Sequence, residues 1–367
     1  MTPRIAAPLL SVIVPTYNEY ANVPVIIEKL THALGPTAWE VIFVDDNSRD
    51  KTAQHVRSFA AENPQVRVVH RIGRRGLSGA CIEGMLASSA PYLAVMDADG
   101  QHDETRLPVM LDLLQRDQAQ LTIGSRYVAG GTTGEFSKVR LAGSKLSTFF
   151  SRTLLRLDIS DPMSGFFMIR QEDFLPLAGK LSSQGFKILL DLLATARGSL
   201  RVVEVPFTFG TRVHGESKMD SMVVLDFLGL LVSKATADMV PVRFFYFTLV
   251  GGMGLVVHLV ILRAELGLFD FSFAKAQSFA VILTMTFNFF INNQFTYRSQ
   301  RLKGLKPILR GLFSSYAVWS IGALANVAVA SVFYEQLPVW WLAASLGAVI
   351  GSVWNYITSS LFVWRAR

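Results

Sequence analysis

The stretch Pro91-Tyr-Leu-Ala-Val-Met-Asp-Ala-Asp-Gly-Gln-His102 decides how this chain folds. Leu93, Ala94, Val95 and Met96 form a short apolar run bounded by Pro91 on one side and by Asp97 and Asp99 on the other, which predicts a buried strand. A strand that ends in Asp-x-Asp-x-Gln delivers oxygen donors to the crevice where open α/β sheets bind ligands. Mg²⁺ and Mn²⁺ prefer such hard oxygens and are usually shared with substrate phosphates. The plainer alternative is a solvated strand exit in which aspartate merely forms a turn. Two further features of the chain weigh against it.

The first lies upstream. Leu10-Ser-Val-Ile-Val-Pro-Thr-Tyr-Asn-Glu19 and Trp39-Glu-Val-Ile-Phe-Val-Asp-Asp-Asn-Ser48 are two more apolar runs that end in polar residues. Between them Val23, Ile26, Ile27, Leu30 and Leu34 recur at helical spacing, so the order is β-α-β and the sheet is parallel. A helix over residues 52–61 and a strand over residues 66–69 continue the alternation. Asp45 and Asp46 therefore emerge on the same sheet edge as Asp97 and Asp99, a crevice suited to a nucleotide diphosphate with its metal. No Gly-x-Gly-x-x-Gly or Gly-Lys-Ser follows any of these strands, which disfavours a dinucleotide enzyme or a P-loop ATPase. Gly76-x-x-Gly79 by itself marks only a loop that needs a permissive backbone.

Further motifs follow in order: Gly76-Leu-Ser-Gly79, Gly124-Ser-Arg-Tyr127, Asp161-Pro-Met-Ser-Gly-Phe-Phe167, Gly185-Phe-Lys-Ile-Leu189 and Gly215-Glu-Ser-Lys218. With Ser11-Val-Ile-Val-Pro-Thr-Tyr-Asn-Glu19, Val44-Asp-Asp-Asn-Ser-Arg-Asp50 and Asp97-Ala-Asp-Gly-Gln-His102, this ordered set resembles a family-2 glycosyltransferase of the dolichyl- or polyprenyl-phosphate mannose synthase type. The resemblance implies a GT-A catalytic domain, a Rossmann-like α/β sandwich on a mostly parallel sheet. It also implies transfer of a sugar from a nucleotide sugar to a polyprenyl phosphate with Mg²⁺ or Mn²⁺.

The second feature is the C-terminal third. Beyond Pro241 lie four apolar stretches, about residues 244–262, 273–291, 309–333 and 339–364. Each is long enough to cross a hydrocarbon core of ~30 Å at about 1.5 Å per residue. Arg298, Arg301, Lys303, Lys306 and Arg310 fill the second loop without an acid, Lys234 and Arg243 precede the first span, and Arg365 and Arg367 follow the last. The positive-inside rule then puts the catalytic domain and both termini in the cytoplasm. This part resembles the GtrA-like four-helix membrane domain, most clearly in Phe287-Asn-Phe-Phe-Ile-Asn-Asn-Gln-Phe-Thr-Tyr-Arg298. The expected domains are residues 1–221 for the transferase and 241–367 for the membrane part, with residues 222–240 as an apolar helix along the bilayer surface. Within the first domain, residues 141–157 carry Leu146, Phe149, Phe150, Leu154 and Leu157 on one face and Lys145, Arg152 and Arg156 on another. Periodicity serves an interface helix and a sheet cover equally; the neighbouring membrane domain favours the interface.

The bulk numbers agree. A length of 367 residues suits two domains, and 51% apolar residues is high for a wholly soluble protein. The formal charge of +7 resides beside the spans, so it points to anionic lipid and not to nucleic acid. Cys81 is the single cysteine, which leaves no intrachain disulfide and fits a reducing compartment. Residues 9–14 are too short for the apolar core of a signal peptide and form the first strand instead.

The resemblance also implies roles. Asp97, Asp99 and Gln101 would form the metal set, with Asp97 and Ala98 also against the nucleotide sugar. Pro15, Tyr17, Glu19, Val44 and Asp46 would hold the nucleoside. Arg126 would sit by the sugar or acceptor phosphate, Arg212 and Lys218 would clamp the diphosphate, and Arg140 and Ser144 would grip the acceptor phosphate. Asp99, Arg126, Arg140 and Ser144 are thus the expected catalytic residues; His214 receives no role, and His102 is structural. The expected reaction takes GDP-mannose and polyprenyl (dolichyl-type) phosphate to polyprenyl phosphate β-mannose, with inversion. UDP-glucose or another nucleotide sugar stays open as donor, because motifs do not reveal the sugar contacts. A transporter or flippase component with a decayed transferase domain is the non-enzyme alternative; intact Asp97-x-Asp99-x-Gln101 and Gly215-Glu-Ser-Lys218 argue against decay. No Gln-x-x-Arg-Trp occurs, which disfavours a processive polysaccharide synthase.

Overall fold

The computed structural model describes residues 7–134, 148–149, 151–153, 158–182, 186–211, 221–237, 239–240, 242–269, 271–297 and 301–358. The chain divides into two compact units, Met1–Asp238 and Met239–Arg367.

The first unit is built on strands β1 (Leu10–Thr16), β2 (Trp39–Asp45), β3 (Val66–His70), β4 (Tyr92–Val95), β5 (Leu121–Ser125), β6 (Phe167–Arg170) and β7 (Val202–Pro206), in the spatial order β3-β2-β1-β4-β6-β5-β7. β1 pairs in parallel with β2 and β4, and β2 with β3, so these four strands share one carboxyl edge. β6 runs antiparallel between β4 and β5, and β7 closes the sheet in parallel with β5. The sheet is therefore mostly parallel, with one reversed strand that shows no distinguishing local pattern.

Helices α1 (Asn22–Leu34), α2 (Thr52–Glu62), α3 (Leu77–Leu86), α4 (Leu107–Gln115), α5 (Gln171–Ala178) and α6 (Ile188–Ala196) cover it. Because strand side chains alternate, Val12 and Val14 face the cluster containing Ile26 and Leu30 of α1 and Met110 and Leu114 of α4. Ile13, Ile42 and Val44 face the opposite cluster, with Met85 of α3 and Leu189 and Leu192 of α6. Apolar residues on both faces are what a strand covered on both sides requires. Gly84 lets α3 approach closely: a Cβ there would stand 2.6 Å from Ile13 Cγ2 and 2.7 Å from Val44 Cγ2. Met96, expected as the last residue of its strand, lies one position beyond β4, yet its N–H still donates to the Ile13 carbonyl at 3.1 Å.

Helix α7 (Ser221–Ala235) corresponds to the expected surface helix of residues 222–240, beginning one residue earlier and ending five residues sooner. One face packs Phe227, Leu230 and Leu231 against Met163 and Leu190. Lys234 pins its end with a 2.8 Å ion pair to Asp191, both side chains at most 3% exposed. Val224, Leu228 and Val232, at i, i+4 and i+8, form an exposed apolar stripe. Of the expected helix over residues 141–157, only residues 148, 149 and 151–153 are described, and they are helical. Phe149 is exposed, whereas Ser151 is buried with its hydroxyl 3.7 Å from the Met163 sulfur.

The second unit is helical: α8 (Val242–Leu268), α9 (Phe273–Gln294), α10 (Leu305–Gln336) and α11 (Trp340–Thr358). Among the described residues, α9, α10 and Phe244–Leu268 of α8 are long and apolar enough to cross a membrane. Residues 359–364 of the fourth expected span lie outside the described residues.

Candidate functional site at the carboxyl edge of the sheet

The parallel register aligns Thr16 with Asp45 and Asp45 with His70, while β4 ends two residues before Asp97. The segments after β1, β2 and β4 thus open on one edge, and each fixes its polar residues differently.

After β1 the chain turns at Asn18, which has φ 55°, a left-handed conformation that asparagine tolerates. The Arg75 guanidinium lies 4.6 Å from the Tyr17 ring centroid, and Tyr20 stacks on His55 at 3.9 Å. Glu19 accepts from the Asn22 amide at 2.7 Å. Pro15 is buried in β1, opposite Val44.

After β2 the two aspartates part company. Asp45 is fully buried and accepts from the Ser48 N–H at 2.9 Å and the Thr16 hydroxyl at 3.2 Å, so it shapes the loop. Asp46 accepts from Arg71 and, at 2.8 Å, from the Gly76 N–H. Burial pushes the Asp46 carboxyl above its ordinary pKa, against the opposing pull of Gly76 and Arg71. Arg71 also reaches Glu83 at 3.2 Å, and Arg74 shares that carboxylate at 3.2 Å. Val44 is wholly in the core, which leaves only its backbone at the edge.

After β4 the Asp-Ala-Asp-Gly-Gln-His segment forms a tight loop. Gly100 takes φ 73°, the Asp99 carboxylate accepts the Gln101 N–H at 3.2 Å, and Ala98 is buried. Gln101 is tied to the segment after β7 by two bonds: its amide donates to the Gly210 carbonyl at 3.0 Å, and Gly210 N–H returns to its carbonyl at 2.8 Å. Asp97 lies against Gly165, where a Cβ would come within 3.0 Å of its carboxylate. The two carboxylates and the glutamine amide are a hard-oxygen set of the kind Mg²⁺ or Mn²⁺ takes. No group of three or more His, Cys, Asp or Glu is assembled for a metal among the described residues.

His102 joins this loop to the core. Its Nδ1 accepts the Asp97 N–H at 3.0 Å, and the ring stacks on Phe166 at 5.2 Å between Phe207 and Phe209. Burial, the largest cause, lowers its pKa to about 4 from 6.5, with Asp99 acting the other way. The neutral form is thus favoured on folding, and its contribution is complete above pH 6.5 and disappears as pH falls towards 4. Acidification across that window is expected to cost up to about 3 kcal/mol. Denaturant titrations of His102→Gln, which keeps an acceptor and cannot titrate, should lose this part of the pH dependence; an unchanged dependence would assign it elsewhere.

Arg126 is held by Asp161. The Arg126 Nε and Nη2 donate at 2.7 and 2.8 Å to the two carboxylate oxygens, and its backbone N–H donates at 3.1 Å. Asp161 is fully buried, and Glu204 accepts its N–H at 3.0 Å and that of Ser160 at 2.8 Å. Burial works against the Arg126 charge, but the Asp161 carboxylate outweighs it and holds the guanidinium's pKa up. Asp161 and Glu204 received no role from sequence reading, although Asp161 opens one of the quoted motifs. Arg140, Ser144, Arg212 and Lys218 lie outside the described residues.

Comparison with known proteins fits this geometry. Residues 11–175 match the family described as "Glycosyl transferase family 2", and residues 246–364 match "GtrA/DPMS, transmembrane domain". A dolichol-phosphate mannosyltransferase of Pyrococcus furiosus is 33% identical over 97% of this chain and 99% of its own length. The chain belongs to this family of polyprenyl-phosphate mannosyltransferase-type glycosyltransferases. A dolichol-phosphate mannosyltransferase of Saccharomyces cerevisiae is 38% identical over 59% of this chain and 84% of its own. An undecaprenyl-phosphate mannosyltransferase of Micrococcus luteus is 36% identical over 58% and 88%. The match to the Pyrococcus furiosus relative runs through the GtrA/DPMS part as well, and that domain with its three long apolar helices makes this chain a membrane protein. Among solved structures, glucosyl-3-phosphoglycerate synthase from Mycobacterium tuberculosis, in complex with Mn²⁺, UDP-glucose and phosphoglyceric acid, superposes with a TM-score of 0.50 at 20% identity. It covers 63% of this chain and 81% of its own, and shares the GT-A fold.

Proposed function

We propose that this glycosyltransferase moves mannose from GDP-mannose to a polyprenyl phosphate, with inversion, at the cytoplasmic face of its membrane. The observation that carries this reading is the Asp97, Asp99 and Gln101 oxygen set at the sheet edge, in a chain related over its whole length to a dolichol-phosphate mannosyltransferase. Pro15, Tyr17, Glu19, Val44 and Asp46 border the nucleoside, Val44 through its backbone and Asp46 by bracing the loop through Arg71 and Gly76. Asp97, Asp99 and Gln101 hold the metal, with Asp97 and Ala98 also against the nucleotide sugar. Bound Mg²⁺ or Mn²⁺ supplies charge neutralisation to the departing diphosphate.

The acceptor phosphate is anionic near neutral pH, so attack on the sugar C1 needs no strong base and catalysis rests on alignment. Arg126, oriented by Asp161, adds positive charge beside the reacting groups. Arg140 and Ser144 grip the acceptor phosphate, and Arg212 and Lys218 clamp the diphosphate. A guanidinium fork holds two phosphate oxygens where lysine offers a point charge. Arg140→Lys is therefore expected to raise the KM for polyprenyl phosphate several-fold with nucleotide-sugar binding nearly intact. Arg212→Lys should chiefly weaken the nucleotide sugar or lower kcat. Steady-state kinetics with each substrate varied separately decide this, and effects of both variants on one substrate would refute the division.

The exposed stripe Val224, Leu228 and Val232 and the exposed Phe149 support two helices lying in the bilayer interface. The basic segment formed by Arg301 and Lys303 in the loop before α10 and by Lys306 and Arg310 in its first turns supports a cytoplasmic catalytic unit. Proteolysis of that loop in inverted vesicles, but not in right-side-out ones, is the check. The deciding experiment supplies membranes with labelled GDP-mannose, UDP-glucose or UDP-N-acetylglucosamine and follows label into lipid extract. Label from GDP-mannose is expected; label only from a UDP-sugar would overturn the donor.

A further inference from the structure

The membrane unit Met239–Arg367 contains a polar cluster of one histidine and two amides among its apolar helices. His258 Nε2 of α8 lies 3.2 Å from Gln277 Oε1 of α9, and Gln277 Nε2 donates at 2.8 Å to Asn326 Oδ1 of α10. These three side chains satisfy one another, and alone they are the interhelical hydrogen bonding that holds membrane helices together. Thr284 and Asn288 continue along α9 at i+7 and i+11 from Gln277, on the same face and over about 16 Å. They border a cavity of about 60 Å³, together with Gly254, His258 and Asn326. Here the hydrogen-bond accounting does not close. Thr284 Oγ1 and Asn288 Oδ1 are buried with no hydrogen-bond partner among the described residues, a condition that costs free energy until a ligand or water relieves it.

The backbone keeps room for these amides. A Cβ on Gly254 would stand 2.3 Å from Asn288 Oδ1, and one on Gly347 would stand 2.8 Å from Asn326 Oδ1.

We propose that this cavity binds the hydroxyl-bearing edge of an uncharged headgroup, a sugar or glycerol moiety carried by a lipid. Asn288 Oδ1 only accepts, so its partner must donate, whereas Thr284 Oγ1 does either. A hydroxyl group meets both needs; an ionised phosphate offers no donor. Among the described residues, the cavity lining includes no Asp, Glu, Lys or Arg to compensate a charge buried among apolar helices. Its volume accommodates about four to six water-sized groups at roughly 10–15 Å³ each, the scale of a few hydroxyls. This site belongs to the membrane unit and does not depend on which nucleotide sugar the catalytic unit uses.

The test uses the full chain in phosphatidylcholine nanodiscs without nucleotide sugar. Retention of a monohexosyl diacylglycerol, of phosphatidylglycerol or of phosphatidic acid is followed by native mass spectrometry. Wild-type protein should retain the hexosyl lipid, and phosphatidic acid should not displace it. Displacement by phosphatidylglycerol would make glycerol hydroxyls an equal source, whereas equal displacement by phosphatidic acid would overturn the neutral-hydroxyl assignment. Asn288→Leu and Gly254→Ala should weaken retention at least tenfold. Thr284→Val, which keeps the shape and removes only the hydroxyl, should weaken it several-fold and guards against variants that fail to fold. Undiminished retention in Thr284→Val and in either folded cavity variant would refute the site.

Discussion

Asp99→Ala is expected to lower transfer by about a thousandfold or more, the equivalent of ~4 kcal/mol of lost transition-state stabilisation. Asp99 stands four residues past the end of β4, on a loop whose turn is set by Gly100 at φ 73°. Its Oδ1 accepts the Gln101 N–H at 3.2 Å, and Gln101 is in turn bonded both ways to Gly210. The carboxylate is thus presented by a fixed loop at the carboxyl edge, where the proposed diphosphate and metal would meet it. Removing it deletes one of two anionic oxygens from the donor set, and a neutral amide at Gln101 cannot replace that charge. An asparagine side chain keeps an oxygen that can accept the Gln101 N–H but carries no charge. Asp99→Asn therefore separates loop geometry from charge and is expected to lose nearly as much activity. Thermal unfolding should change little, because the loop is held mainly by the Gln101 bonds to Gly210. Wild-type turnover of Asp99→Ala at saturating Mn²⁺ would exclude Asp99 from the metal set.

Asp161→Ala is expected to destabilise the catalytic unit by about 3–5 kcal/mol and to reduce activity with it. Asp161 is wholly buried, and the Arg126 side chain is 10% exposed, so the carboxylate cannot be replaced by bulk water. Deleting it leaves a buried guanidinium without its two hydrogen-bond acceptors, which is costlier than never having had a pair. The double variant Asp161→Leu with Arg126→Met tests what the pair is for. If the pair only braces the fold, the double variant regains stability and activity together. If Arg126 also stabilises charge in the reaction, stability returns and activity does not. Denaturant midpoints measured beside transfer rates give the answer, and a wild-type midpoint for Asp161→Ala would refute the buried-pair account.

These two aspartates differ in how visible they are from sequence. Asp99 follows a run of apolar residues whose period and termination are local, and local pattern suffices to place a strand end at the binding edge. The same holds for β3, α1 and α2, which local pattern locates to within about a residue, and for β1 and β2, whose starts at Leu10 and Trp39 are matched although the quoted runs to Glu19 and Ser48 continue three residues past the strand ends. The long apolar stretches after residue 241 are legible for the same reason, since membrane length is a property of consecutive residues. Strands β5, β6 and β7 and helices α3 to α6 carry no such message. Phe167–Arg170 is four residues long, and its reversal between β4 and β5 depends on neighbours 44 to 78 positions away.

The amino-acid sequence by itself determined the two-part architecture, the sheet edge and the residue types gathered there, because apolar period, chain length and strand-terminal acids are short-range properties. Only the tertiary structure decided what each charge does. Asp46 is spent on Arg71 and Gly76, Arg126 on Asp161, and Gln101 reaches Gly210 across 109 residues. His102 is held neutral by the aromatic rings around it. Such assignments rest on desolvation and on distances of about 3 Å between groups far apart in the chain, and those are fixed only when the sheet and its helices close around them.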